Sequence, residues 1–158
     1  MPLECPEVRD DRVRVIAVKK AEYAYQVLHT PLICDDTGFF IRALKGFPGP
    51  YAAYVQRTIG NEGILRLMEG RSDRRASFET AVAYADAEGV RVFSGRIEGT
   101  IVAPRGEGGF GYDPIFEWRG RTLAEMTPAE KNRISHRARA LARLRHFLEG
   151  REPGKGEP

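Results

Sequence analysis

The stretch "PLICDDTGFFIRAL", residues 31–44, decides the fold. Residues 31–34 form a short apolar run that reads as a buried strand. The run ends in Asp35-Asp36-Thr37-Gly38, and residues 39–44 read as a second strand. On the N-terminal side, Ile16, Lys20, Tyr23, Ala24, Val27 and Leu28 recur at helical spacing between 14 and 29. Lys20 is the one long polar residue on that stripe, and Thr30-Pro31 stops the helix. A helix feeding a strand, with a turn-rich loop at 45–51 behind it, is the beginning of an α/β domain.

The rest of the chain continues that pattern. Residues 52–60 read as a short helix, and 61–70 as another, with Asn61 as N-cap and Gly70 as C-cap. Residues 76–86 alternate like a strand, 87–89 turn the chain, and 90–95 complete a hairpin. A further strand is expected over 96–104, then a glycine-rich loop, then an apolar run at 115–118. Thr127-Pro128-Ala129-Glu130 is a capping box with proline at the first helical position. It announces one terminal helix whose apolar stripe is Ile134, Ala138, Leu141, Leu144 or Phe147, then Leu148. Residues 150–158 have no apolar anchor and are expected to be a disordered tail. The sum is a single α/β domain over 1–149, with helices flanking a mixed sheet.

Composition narrows the function. The 158 residues suit one domain with its own core, and 42% hydrophobic with 30% charged is ordinary for a soluble globular protein. No apolar run is long enough to cross a bilayer, and "MPLECPEVRDD" lacks the pattern of a signal peptide, so a cytoplasmic protein is expected. Cys5 and Cys34 make neither a disulfide framework nor a metal-ligand pair. The net charge of +3 is concentrated in 131–151. No aromatic residues alternate with those charges, which disfavours nucleic acid and leaves a compact polyanion such as a nucleotide open.

Three stretches could carry chemistry. Successive side chains of a strand point opposite ways, so Asp35 and Asp36 should have different roles. At the carboxyl end of a strand, one of them could hold a hard cation such as Mg²⁺ and the water beside it, the arrangement that phosphate-ester hydrolysis needs. The alternative is a turn in which aspartate bonds its own backbone. In "GEGGFGYD" (106–113) the glycines allow close backbone approach and Phe110 could stack on a planar base, although an aromatic beside glycines also suits a core. In "EKNRISHR" (130–137) Lys131 falls in a first helical turn, where the dipole disfavours a cation unless an anion is near. Arg137 can fork onto phosphate or keto oxygens and His136 can donate to a base edge; the alternative is a solvated basic face. Together these are the parts of a nucleoside triphosphate site.

"CDDTGFFIRALKGFPGPY", "GFGYDPIF" and "LAEMTPAEKNRISHRARAL" resemble the signatures of the inosine triphosphatase family, the noncanonical purine NTP pyrophosphatases. The match runs from about Glu7 to about Leu148, and "FPGPYAAYVQRTIGNEGILRLMEG" is similar to archaeal members. The resemblance implies an elongated α/β fold with a central mixed sheet, a cleft between two lobes, and a homodimer. It implies Mg²⁺-dependent cleavage of ITP, dITP and XTP to the monophosphate and pyrophosphate, which clears deaminated purines from the nucleotide pool. By motif, Asp36 is the metal ligand and proton acceptor with Asp35 beside it, and Glu7 in "CPEV" is the second metal carboxylate. Thr37 contacts substrate, Lys20 faces phosphate, and Phe110, Gly111, Tyr112 and Asp113 form the base loop. Lys131, His136 and Arg137 complete the pocket. Members of the family open with a strand and a Ser/Thr-x-Asn-x-x-Lys loop that grips the triphosphate, and nothing before Glu7 matches it. A non-catalytic purine-nucleotide-binding protein is therefore the second expectation.

Overall fold

The computed structural model describes residues 10–150. Glu7 and Cys5 lie outside the described residues, as does the expected tail apart from Gly150. Among these residues there are five α-helices and six strands, with α1 at Val13–Leu28, β1 at Leu32–Ile41 and β2 at Pro48–Gly49. Then come α2 (Ala52–Thr58), α3 (Gly60–Leu67), β3 (Arg75–Asp86) and β4 (Gly89–Ile101). Short strands β5 (Phe116–Trp118) and β6 (Arg121–Thr122) precede α4 (Pro128–Ile134) and α5 (His136–Glu149).

The strands form one sheet in the order β2-β1-β3-β4-β5-β6. The α/β class is as expected, but every pairing between these described strands is antiparallel rather than mixed. β3 and β4 are joined by a tight turn, a link that parallel neighbours cannot use. Two boundaries expected from the sequence also disappear. "DDTG" is not a turn at a strand's end but the middle of β1, where Asp35, Asp36, Thr37 and Gly38 pair with Val82, Ala81, Thr80 and Glu79. Residues 90–95 and 96–104 are likewise not two strands, because β4 runs unbroken from Gly89 to Ile101.

Helices cover both faces of the sheet. α1 sets Val13, Ala17 and Ala21 against Ala81, Ala83 and Ala85, with Leu32, Cys34, Val90 and Val92 around them. On the other face α5 packs Ala140 and Leu144 on Val82. At Gly95 the approach is closest: a Cβ there would sit 2.1 Å from the His136 carbonyl oxygen and 2.5 Å from the Ala140 nitrogen. Beyond the helices, the larger core gathers around Phe39, whose ring stacks on Phe78 and on Tyr112 at centroid distances of 4.5 Å.

From Gly89 to Gly99, β4 has no strand on its outer side among the described residues, since β5 meets it only at Thr100 and Ile101. α5 supplies partners for that edge. Arg139 donates from Nη1 to the Arg96 carbonyl (3.0 Å) and Arg143 from Nη1 to the Ser94 carbonyl (2.8 Å).

Candidate active site

The alternation of β1 places the two aspartates on opposite faces of the sheet. Asp36 follows Leu32 and Cys34 onto the α1 face, and Asp35 follows Thr37 and Phe39 onto the other. Lys20 of α1 donates from Nζ to the Asp35 carbonyl (3.0 Å) and lies 3.5 Å from Asp36 Oδ1. Asp36 Oδ2 is buried and has no hydrogen-bond partner. Burial raises the Asp36 pKa above its ordinary value, Lys20 opposes that rise, and the neighbouring Asp35 adds to it. Asp35 instead pairs with Arg137 Nη1 at 2.7 Å, so the two carboxylates do not converge on one point. Thr37 shares a hydrogen bond of 2.8 Å between its Oγ1 and that of Thr80.

The glycine loop lies on the Asp35 face. Phe110 is 80% exposed, and its backbone N–H donates to Asp113 Oδ2 (3.0 Å). Gly109 has φ +68°, and a Cβ there would stand 2.2 Å from Asp113 Oδ2, so this position admits only glycine if the bond is kept. Asp113 is buried and ion-paired with Lys131, whose ammonium also sits 4.2 Å from the centre of the Phe110 ring. The anion that a lysine in the first turn of α4 requires is thus supplied by the protein itself. Tyr112 is buried in the core, where burial pushes its pKa up to about 12, and its hydroxyl donates to the Ala52 carbonyl (2.6 Å). Its ring faces Phe39, leaving the backbone as the part turned to the loop.

The terminal helix expected from the capping box is broken. Thr127 caps α4 as expected, accepting from the Glu130 amide, but Ser135 leaves helical geometry at φ −62°, ψ 151°. Its side chain then accepts from the Ala138 amide and starts α5 anew. His136 becomes the first residue of α5 instead of a mid-helix surface residue. It stacks on Phe78 at 5.0 Å and 15°, and its Nδ1 is buried without a partner. Burial first, then Arg137 and Lys131, push its pKa down to about 4, so the imidazole is neutral at pH 7.

Residue by residue, Lys20 meets Asp36, Arg137 meets Asp35, and Lys131 meets Asp113 and Phe110. The first pair lies across β1 from the other two. Two contributors escaped the sequence. Asn61 does not cap α3, whose N-cap is Ile59; its Nδ2 donates to the Gly111 carbonyl (2.9 Å). Ser135 has a recognisable signal, a capping residue in front of a helical stripe, hidden by the continuous pattern on both sides. Among the described residues no group of three or more His, Cys, Asp or Glu gathers as a metal site, and no helix is long and apolar enough to cross a membrane.

A family model for Ham1 proteins matches residues 2–147. The chain belongs to the Ham1 family. Among its Ham1 relatives, the dITP/XTP pyrophosphatase of Thermococcus kodakarensis is 49% identical over 146 residues, covering 90% of this chain and 79% of that protein. The protein of the same name from Methanopyrus kandleri is 48% identical over 157 residues, covering 97% of this chain and 84% of the other. The structure of the Staphylococcus aureus Ham1 protein superposes with a TM-score of 0.90 at 33% identity, over 95% of this chain and 82% of that one. A HAM1 protein from Coxiella burnetii gives 0.83 at 35% identity, over 90% and 80%.

Proposed function

We propose that this Ham1 protein hydrolyses deaminated purine nucleoside triphosphates (ITP, dITP and XTP) to the monophosphate and pyrophosphate. Its relatives' activity favours hydrolysis over the alternative of a binding protein without turnover. The observation that carries the reading is Asp36: a half-buried carboxylate with one oxygen beside Lys20 and the other buried without a protein partner. A bound ion or water is the kind of partner that such an oxygen can take.

The exposed ring of Phe110 offers a stacking surface for a purine, backed by Lys131 and held in place through Asp113. Neutral His136 and the Arg137 guanidinium present donors to a 6-keto oxygen. Adenine would meet those donors with its own 6-amino group, leaving buried groups unpaired, and mismatches of that kind support large discrimination. The triphosphate would pass β1 toward Lys20, whose charge offsets that of the phosphates.

A Mg²⁺ ion suits Asp36, a hard oxygen donor with a spare lone pair, and Glu7 would join it by the family motif. When bound, it would neutralise phosphate charge and make water a better nucleophile. Asp35, tied to Arg137, would orient that guanidinium instead of sharing the ion. Asp36 would take the proton of the attacking water.

We also propose a cytoplasmic homodimer formed through Phe47, Tyr51, Tyr54 and Ile59, large apolar side chains exposed around α2. Sedimentation of wild type and Tyr54→Glu tests it, and a wild-type monomer at micromolar concentration rules it out. The catalytic reading is tested by incubating the protein with Mg²⁺ and dITP, XTP or dATP. Pyrophosphate from the first two and little from dATP is expected; orthophosphate, or equal rates on all three, would overturn it.

A further inference from the structure

Asn61 is a half-buried amide committed to one bond. Its Nδ2 donates to the Gly111 carbonyl at 2.9 Å while its Oδ1 is buried with no partner. Exchanging the two amide atoms would set oxygen against the Gly111 carbonyl, so the orientation is fixed by that acceptor. Helix packing does not need this side chain, because α3 buries Ile64, Met68 closes its C-terminal end, and the helix has no side-chain cap. Keeping a desolvated acceptor for the sake of a single donor calls for a reason outside the core.

The partner supplies the reason. Gly111 has φ +60° and lies between exposed Phe110 and buried Tyr112, the point where the chain turns from the surface into the core. The loop is held on its α4 side by Asp113 and Lys131 and on its α2 side by the Tyr112 hydroxyl on Ala52. Within the turn, the Asp113 carboxylate accepts from the Phe110 amide, and Asn61 adds a hydrogen bond from outside it, to the Gly111 carbonyl. Without it the Gly111 peptide loses its tether to α3, and because glycine populates both signs of φ, the turn that carries Phe110 is held only by its internal bonds to Asp113 and by Tyr112.

We infer that Asn61 is a positioning residue: it fixes the Gly109–Asp113 turn from α3 and so sets the height of the Phe110 ring over the purine. This rests on the pyrophosphatase reading for its substrate and on geometry alone for its effect on the loop. Residues 52–67 thereby act on the base end of the site and leave Asp36 and Lys20 untouched.

The test compares wild type with Asn61→Ala and Asn61→Asp, the second placing a carboxylate oxygen against the Gly111 carbonyl. Ile64→Val, one turn further along α3, serves as the stability control. Backbone amide hydrogen exchange over 108–112 should quicken about fivefold to tenfold in both Asn61 variants, the change carried by one ordinary net hydrogen bond, and stay unchanged in Ile64→Val. In the dITP assay KM should rise by a similar factor with kcat within about twofold. Exchange that matches the control, or a KM at the wild-type value, would overturn the inference. Failure of the pyrophosphatase reading would instead appear as a wild type that releases no pyrophosphate, and the exchange experiment then decides the positioning role by itself.

Discussion

His136 should make the stability of this protein depend on pH in a window where few other groups titrate. Its imidazole is enclosed between α5 and Phe78, and burial holds its pKa near 4 against an ordinary value of 6.5. The unfolded chain therefore binds a proton between pH 6.5 and 4 that the folded chain refuses. Stability is complete above pH 6.5 and falls as the pH descends toward 4. A gap of two to three pH units corresponds to about 3 kcal/mol. That is a large part of the roughly 5–15 kcal/mol that holds a domain of this size together. His136→Gln removes the titrating group and keeps a polar side chain of similar length. Urea unfolding followed through the single tryptophan, Trp118, at pH 7, 6, 5 and 4 should show wild type losing about 3 kcal/mol more than the variant. Carboxylates such as Glu125, held low by its bond to the Thr122 amide, titrate identically in both proteins and cancel in the difference. Equal slopes would refute the argument, since His136 would then be reached by water or displaced from Phe78.

Three further outcomes follow from the same geometry. Asp36→Asn should abolish turnover yet raise Tm by about 2–4 °C without added metal, because it removes a partly desolvated charge at a gain of about 1 kcal/mol net of the lost Lys20 contact; a lower Tm by scanning calorimetry would contradict this. Gly95→Ala should cost about 3 kcal/mol or more in urea unfolding, because its methyl group meets the backbone of α5 at His136 and Ala140; a loss below 1 kcal/mol would show that the contact yields. Tyr112→Phe should cost about 1 kcal/mol by leaving the Ala52 carbonyl unsatisfied, with a rise in the KM for dITP; an unchanged Tm would mean that water replaces the hydroxyl.

Much of the fold is written in local pattern, and the departures from it have physical causes. Helical spacing between Ile16 and Leu28 gives α1, although the face it buries is Val13, Ile16, Ala17, Ala21 and Ala24 while Val27 and Leu28 are exposed. Thr127 with Glu130 likewise gives the start of α4, because spacing and capping chemistry act within a few residues. "DDTG" has equally local turn chemistry, yet it is strand. Ten pairings with β3 and the Thr37–Thr80 hydroxyl contact outweigh an aspartate's preference for its own backbone. The opposite facing of Asp35 and Asp36 was legible from alternation alone. Their partners were not, since Lys20 and Arg137 come from helices on different sides of the sheet. The break at Ser135 was masked because apolar spacing continues across it, and only the packing of α5 on Gly95 and of His136 on Phe78 requires a new helix there. Asn61 escaped for a similar reason, its carbonyl partner lying fifty residues away in sequence.

The arginines of α5 along β4 give the basic stretch near the C-terminus a different meaning. Read as composition, that charge invites a search for a polyanion. In the fold, Arg139 and Arg143 each donate to a carbonyl of a strand edge that is open among the described residues. An uncovered edge of this length would template the docking of another β-strand, the first step toward insoluble assemblies. A strand arriving from a second molecule would have to displace two charged donors and then leave them unmatched. The helix that carries His136 and Arg137 therefore also covers part of this edge, occupying two of the carbonyls that a further strand would need.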